Sequence, residues 1–140
     1  MLRQAFHELT IATRGRGLYD FTAEVERWIA REKFKAGLVT LHLKHTSASL
    51  VIQENADPDV RKDLENFFKR LVPDGDPLFS HTCEGADDMP AHIRTALTTV
   101  NLSLPLQQGR LGLGTWQGIY LWEHRHAPHS RRVALHFIGE

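Results

Sequence analysis

The sequence holds a single cysteine, Cys83, which excludes an intrachain disulfide and an all-cysteine zinc site. It has no apolar run approaching the ~20 residues of a membrane span, and Met1 opens no signal-peptide pattern. A cytoplasmic setting without a membrane partner is expected. Net charge is also missing: 17 Lys and Arg balance 17 Asp and Glu, so no general electrostatic pull towards nucleic acid exists. No lysine occurs after Lys69, and 12 of the 17 basic side chains fall in the first 70 residues. No segment repeats and none is of low complexity. Against these absences stands an ordinary globular composition, 41% hydrophobic and 24% charged over 140 residues. That length suits one domain spanning 1–140, burying roughly two-thirds of its unfolded surface. Imidazole is the exception to this ordinariness, with nine histidines at 7, 42, 45, 81, 92, 124, 126, 129 and 136. Histidine titrates near neutrality and is the commonest metal ligand, so metal or proton chemistry is the first functional expectation.

Residues 2–13 read as a strand, which Gly15 and Gly17 break. Val25, Trp28 and Ile29 share a face of a predicted helix over Thr22–Phe34, with Thr22 as N-cap and Gly37 ending it. Leu38–Lys44 alternates as a strand with Val39, Leu41 and Leu43 on one side, and Ser49–Glu54 reads as another. A second helix is predicted from Asp57 or Pro58 to Leu71, Asp57 capping it and Pro58 taking its first position. Pro73–Gly85 is a loop. A third helix follows over Met89–Val100, with Met89, Ile93 and Leu97 as its core stripe and His92 on the opposite side, one turn from Asp88. Leu102, Leu104 and Leu106 alternate as a strand, and 115–124 with 131–138 complete the sheet as a hairpin. The order implies an α+β fold: one compact domain of mixed, largely antiparallel sheet with about three helices.

Chemistry-bearing side chains crowd His81-Thr82-Cys83-Glu84-Gly85-Ala86-Asp87-Asp88-Met89-Pro90-Ala91-His92. Capping accounts for one of Asp87 and Asp88 but not for the two imidazoles and Glu84 beside them. His45, which ends a strand and opens His45-Thr46-Ser47, supplies a third imidazole. His45, His81 and His92 are therefore the expected ligands of one divalent ion, zinc or magnesium, in a three-nitrogen site with an open position for water. Glu84 is the candidate acid or base. Gly112-Leu113-Gly114-Thr115-Trp116-Gln117-Gly118 reads either as a turn presenting backbone N–H groups to an anion, with Trp116 as a stacking wall, or as a hairpin packed by that tryptophan. It lacks the Lys-Ser/Thr ending of a Walker loop. Glu123 to Arg132 reads first as a solvated hairpin tip. Its functional alternative places Glu123 towards the pocket and Arg131 or Arg132 on a phosphate.

Three stretches together resemble one family: His45-Thr46-Ser47-Ala48-Ser49 with Glu54 to Val60; His81 to His92; and Gly112 to Leu121 with Glu123, Arg131 and Gly139-Glu140. They are similar to the YjbQ-like family, an uncharacterised protein family also called the secondary thiamine-phosphate synthase family. The resemblance covers the whole chain. It implies a YjbQ-like α+β domain, a homotrimer with sites near subunit contacts, and a weak ability to join a pyrimidine diphosphate to a thiazole phosphate. It carries the family's polar positions onto His45, Asn55, His81, Glu84, Asp87, Asp88, His92, Thr115, Trp116, Gln117 and Glu123.

The combined expectation is a metal-assisted enzyme on small phosphorylated metabolites, a thiamine-phosphate synthase-like transferase. Glu84, Asp88 and Glu123 are its expected catalytic groups, and Asn55, Thr115, Trp116, Gln117 and Arg131 its substrate-binding groups. Two alternatives stand beside it: a metal-dependent hydrolase or lyase, which the residues themselves favour, and a noncatalytic phosphometabolite-binding protein.

Overall fold

In the computed structural model, which describes residues 1–140, the period-2 strands of the sequence stack as two antiparallel sheets. The elements run β1 (Arg3–Thr13), β2 (Gly17–Asp20), α1 (Thr22–Glu32), β3 (Gly37–Leu43), β4 (Ala48–Glu54), α2 (Pro58–Leu71), α3 (Asp88–Leu97), β5 (Asn101–Gln107), β6 (Arg110–Leu111), β7 (Gln117–Glu123) and β8 (His129–Gly139). The larger sheet has the order β1-β8-β3-β5-β6 and the smaller β2-β7-β4. The expected α+β domain of largely antiparallel sheet with three helices is what forms, and every pairing is antiparallel, with no parallel pair in either sheet. The expected hairpin over the last two strands is absent: β7 and β8 belong to different sheets.

Val39, Leu41 and Leu43 of β3 and Val133, Leu135 and Phe137 of β8 face Leu50 of β4 and Ile119 and Leu121 of β7 across one core. Val25, Trp28 and Ile29 of α1 join it, as their shared face predicts. The other face of the small sheet carries Tyr120 and Trp122, which α2 covers: Arg61 donates to the Tyr120 hydroxyl at 3.1 Å, and Phe68 packs edge-on against Trp122. Where β3 and β8 begin and end together, Gly37 and Gly139 adopt φ of +155° and +156°. A Cβ on Gly139 would lie 2.2 Å from the Ala36 carbonyl oxygen, so this approach admits no side chain.

Helix boundaries follow local chemistry. Asp57 caps α2 as expected, accepting from the Asp59 N–H at 2.9 Å. Thr22 does not cap α1; it is the first helical residue, with Phe21 at the cap position, and its hydroxyl accepts from the Ile119 N–H at 2.8 Å. The α1 terminus comes at Lys33, left-handed at φ 59°, four residues before Gly37. The stripe assigned to α3 is also corrected. Asp88, Pro90, Ala91 and Arg94 are buried, whereas Leu97 is exposed. Two charged residues can face inwards because each finds partners there. Arg94 donates to the Val72 carbonyl at 3.3 Å, beside the C-terminus of α2 where a cation is favoured.

The Glu123–Arg132 segment is solvated at His126–Pro128, as expected of a tip, but Glu123, His124 and Arg131 are buried. Glu123 and Arg131 pair inside the core between the sheets, Nε to Oε1 at 2.8 Å, with Thr13 donating to Oε1 at 2.6 Å. His124 is fully buried against Ser49, its Nε2 2.8 Å from Oγ. Burial, then the charges of Arg94, Arg16 and Arg131, push the His124 pKa down to about 3. An unfolded chain protonates this imidazole near pH 6.5, so between those values the unfolded state binds the extra proton. This contribution to stability is therefore complete above about pH 6.5 and declines as pH falls towards 3, by about 1.4 kcal/mol per pH unit. Urea unfolding at pH 7 and pH 5 should show a loss of which His124→Gln removes about 2 kcal/mol. His45, whose pKa is also lowered, adds to the loss in the same direction and is untouched by that variant. An undiminished loss in the variant would place the acid sensitivity elsewhere.

Candidate functional site

The dense loop and helix start of the sequence become one cluster. His81 from the loop and His92 from the second turn of α3 both donate from Nε2 to Asp88 Oδ2, at 2.6 and 3.1 Å. Asp88 and His92 are four residues apart, which places them one above the other on a helix. Glu84 Oε2 stands 3.7 Å from His81 Nε2. One donor atom from each of His81, Glu84, Asp88 and His92 lies within 4.8 Å of the others. The Asp88 side chain is only 3% exposed, whereas that of Glu84 is 61% exposed. The cluster thus has a buried anchor and a mobile-length carboxylate at its rim.

Arg125 holds the anchor in place. Its guanidinium donates to Asp88 Oδ1 at 2.6 Å, to Asp87 Oδ2 at 3.0 Å and to the Glu84 carbonyl at 2.9 Å. Asp87 also accepts from the His126 N–H at 2.9 Å. Neither Asp87 nor Asp88 caps α3 through its side chain, because these stronger charged partners take their oxygens. Burial works to raise the Asp88 pKa, but the hydrogen bond from His81 and the nearby charges of Arg125 and His92 outweigh it and hold the group below its usual value. It is an anion with one oxygen fixed and the other aimed at two imidazoles. Arg125 is absent from the expected site residues; its sequence signal was a charge-rich turn, which reads equally well as solvated surface.

His45 stands outside the four-residue cluster. Its Nε2 accepts from the Arg132 backbone N–H at 2.8 Å, so that lone pair is engaged and the neutral ring carries its proton on Nδ1. Burial, then Arg131 and Arg132, lower its pKa and keep the ring neutral. It nevertheless lines, with His92, Thr46 and Thr95, a groove of about 490 Å³ beside the cluster. Two of the three expected imidazoles are brought together, and the third faces their neighbouring groove.

The remaining expected site residues lie elsewhere. Glu123 and Arg131 are buried against each other, so neither is presented to a ligand. Asn55, Thr115 and Gln117 line a separate cavity of about 850 Å³ at the start of β7, about 20 Å along the strand from its Glu123 end. Trp116 is 62% exposed and is not part of that lining. Four amides of the glycine turn are spent within the fold, which leaves those of Thr115 and Trp116 unpaired. Gly112 N–H donates to Pro105, Leu113 to Leu111, Gly114 to the Gln117 side chain and Gln117 to Gly114.

A family model described as UPF0047 protein YjbQ-like matches residues 7–140. The chain is 52% identical over 138 residues to a UPF0047 protein of Synechocystis sp., covering 99% of this chain and 94% of that one. It is 46% identical over 133 residues to the UPF0047 protein YjbQ of Escherichia coli O157:H7, covering 94% and 96%. A conserved hypothetical protein of Thermus thermophilus is similar in structure with a TM-score of 0.83 at 36% identity, over 92% of this chain and 97% of that one. A hypothetical protein of Aeropyrum pernix matches with a TM-score of 0.88 at 29% identity, over 97% and 99%.

Proposed function

The chain belongs to the UPF0047 YjbQ-like family, and on that premise we propose that it is a metal-assisted hydrolase whose divalent ion is held by His81, Asp88 and His92, with Glu84 at the rim. The observation that carries this reading is the convergence of four donor atoms within 4.8 Å. Bonds of about 2.0–2.1 Å in a tetrahedral site set neighbouring donors about 3.3 Å apart. The separations of 2.6, 3.1 and 3.7 Å bracket that value, so small side-chain adjustments suffice. Two nitrogens and carboxylate oxygens suit zinc better than magnesium, which prefers oxygen ligands.

An ion bound there would act as a Lewis acid and lower the pKa of water towards neutrality. The chain's own residues supply the rest. Arg125 fixes the Asp88 carboxylate so that a single oxygen serves the site, and Glu84 is exposed enough to take a proton from water and return it to a leaving group. The adjoining groove offers Thr46 and the neutral His45 and carries no carboxylate in its lining, which suits a small phosphorylated metabolite. Arg125, the arginine within the cluster, is spent on Asp87 and Asp88 and is not free for a departing diphosphate, which favours hydrolysis over the transferase reading.

The test is release of inorganic phosphate from small phosphomonoesters by zinc-loaded protein. Glu84→Gln should keep the fold and most of the metal while losing about 10²–10⁴ in rate. Full turnover in that variant, on a substrate the parent hydrolyses, would return Glu84 to a surface role. Wild-type protein that retains no zinc would overturn the reading.

A further inference from the structure

A cavity of about 850 Å³ lies away from the histidine cluster, between α1 and the Gly109–Gln117 segment. Ile29, Leu111 and Leu113 form an apolar wall, and Asp20, Asn55 and Gln117 a polar end. Its charge is one-sided: Asp20, Glu24 and Glu26 face a single cation, Arg110. Glu24 is met by Arg27 at 3.2 Å, but Asp20 and Glu26 have no ion pair. The Asp20 Oδ1 atom accepts from the Thr22 N–H at 2.9 Å and from its hydroxyl at 2.6 Å, which fixes the carboxylate and leaves Oδ2 unengaged.

Oδ2 lies close against Gly118: a Cβ built there would stand 3.3 Å from Asp20 Oδ2 and from Asn55 Cβ and 3.1 Å from Tyr120 Cε2, so glycine leaves the carboxylate room at the strand. The Gln117 side-chain oxygen is held by the Gly114 N–H at 2.8 Å, which fixes the amide's orientation. A carboxylate with a fixed orientation and a free oxygen, beside an apolar wall, recognises a cation that also donates hydrogen bonds.

We propose that this cavity is a second binding site, separate from the metal cluster, for a ligand carrying an ammonium or amidinium group on an apolar body. The cationic group meets Asp20 Oδ2, and the apolar body lies along Ile29, Leu111 and Leu113. Recognition here owes nothing to the metal, so the proposal stands or falls apart from the hydrolase reading.

Benzamidinium and benzoate, nearly identical in shape and opposite in charge, make the test. Amide resonances of Leu113, Gly114, Thr115 and Asn55 are followed in the full chain by ¹H–¹⁵N NMR. Benzamidinium should move them with a Kd on the order of 1 mM, as expected for so small a ligand. Benzoate should leave them in place. Asp20→Asn, which keeps an oxygen for Thr22, should weaken benzamidinium binding about tenfold or more. Equal response to benzoate, unmoved resonances with benzamidinium, or unchanged affinity in Asp20→Asn would each overturn the proposal.

Discussion

Arg131→Ala is expected to cost about 3–5 kcal/mol, a large part of the 5–15 kcal/mol that holds a domain of this size together. The reason is what it leaves behind. Glu123 has no exposed surface, and Arg131 donates to it through Nε at 2.8 Å, while a second guanidinium nitrogen also reaches Glu123 and the Ser47 hydroxyl. Burial works to raise the Glu123 pKa, and the hydrogen bonds of Arg131, Thr13 and the Arg125 backbone N–H hold it down, with Arg131 supplying the one full countercharge among them. Without the arginine, a carboxylate is stranded between two sheets. Urea denaturation at pH 7 measures the loss. The double variant Glu123→Gln/Arg131→Met removes both charges and should recover at least half of it, because the cost lies in the unpaired ion rather than in the missing pair. A single variant within about 0.5 kcal/mol of wild type would mean that water or another cation reaches Glu123.

Asp88→Asn is expected to lower zinc affinity by at least about a hundredfold, since loss of groups that merely support a ligand already costs 10–100-fold. Asp88 is the residue on which both imidazoles and Arg125 converge, and the amide removes the charge while keeping the shape. His45→Ala, by contrast, should leave the affinity unchanged, because its Nε2 is engaged by the Arg132 N–H. Zinc titration against a competing chelator reads both. Wild-type affinity in Asp88→Asn, or a collapse in His45→Ala, would redraw the ligand set.

Much of this architecture was legible wherever a single element decides its own fate. The alternation at Val39, Leu41 and Leu43 predicts which side of β3 is buried, and Asp57-Pro58 predicts the start of α2. The crowding between His81 and His92 likewise predicts a cluster, because a loop and one helical turn bring those residues together without help from distant chain. What depended on long-range pairing was hidden. Sequential strands favour a hairpin, yet β7 and β8 part company into different sheets. Charged residues at 123, 125 and 131 read as solvated because their partners, Thr13, Asp88 and Ser47, are far away in sequence. Arg94 and Asp88 broke the apolar stripe of α3 for the same reason. Asp20 gave no signal at all, since it borders a cavity assembled from the end of β2, α1, Asn55 and the turn before β7.

The position of β8 has a consequence for how the molecule is made. It is the last strand in chain order, yet it sits between β1 and β3, pairing with β1 from Arg3↔Gly139 to Thr13↔His129. During synthesis from the N-terminus, β1 and β3 therefore emerge without the strand that joins them, and more than a hundred residues separate β1 from its arrival. Pairings so distant in sequence close slowly because the loop entropy is spent before any contact rewards it. The small sheet can gather once β7 has left the ribosome, but the large one waits for the final strand. Formation of the large sheet consequently waits until β8 has left the ribosome, and until then β1 presents both of its edges to whatever is nearby.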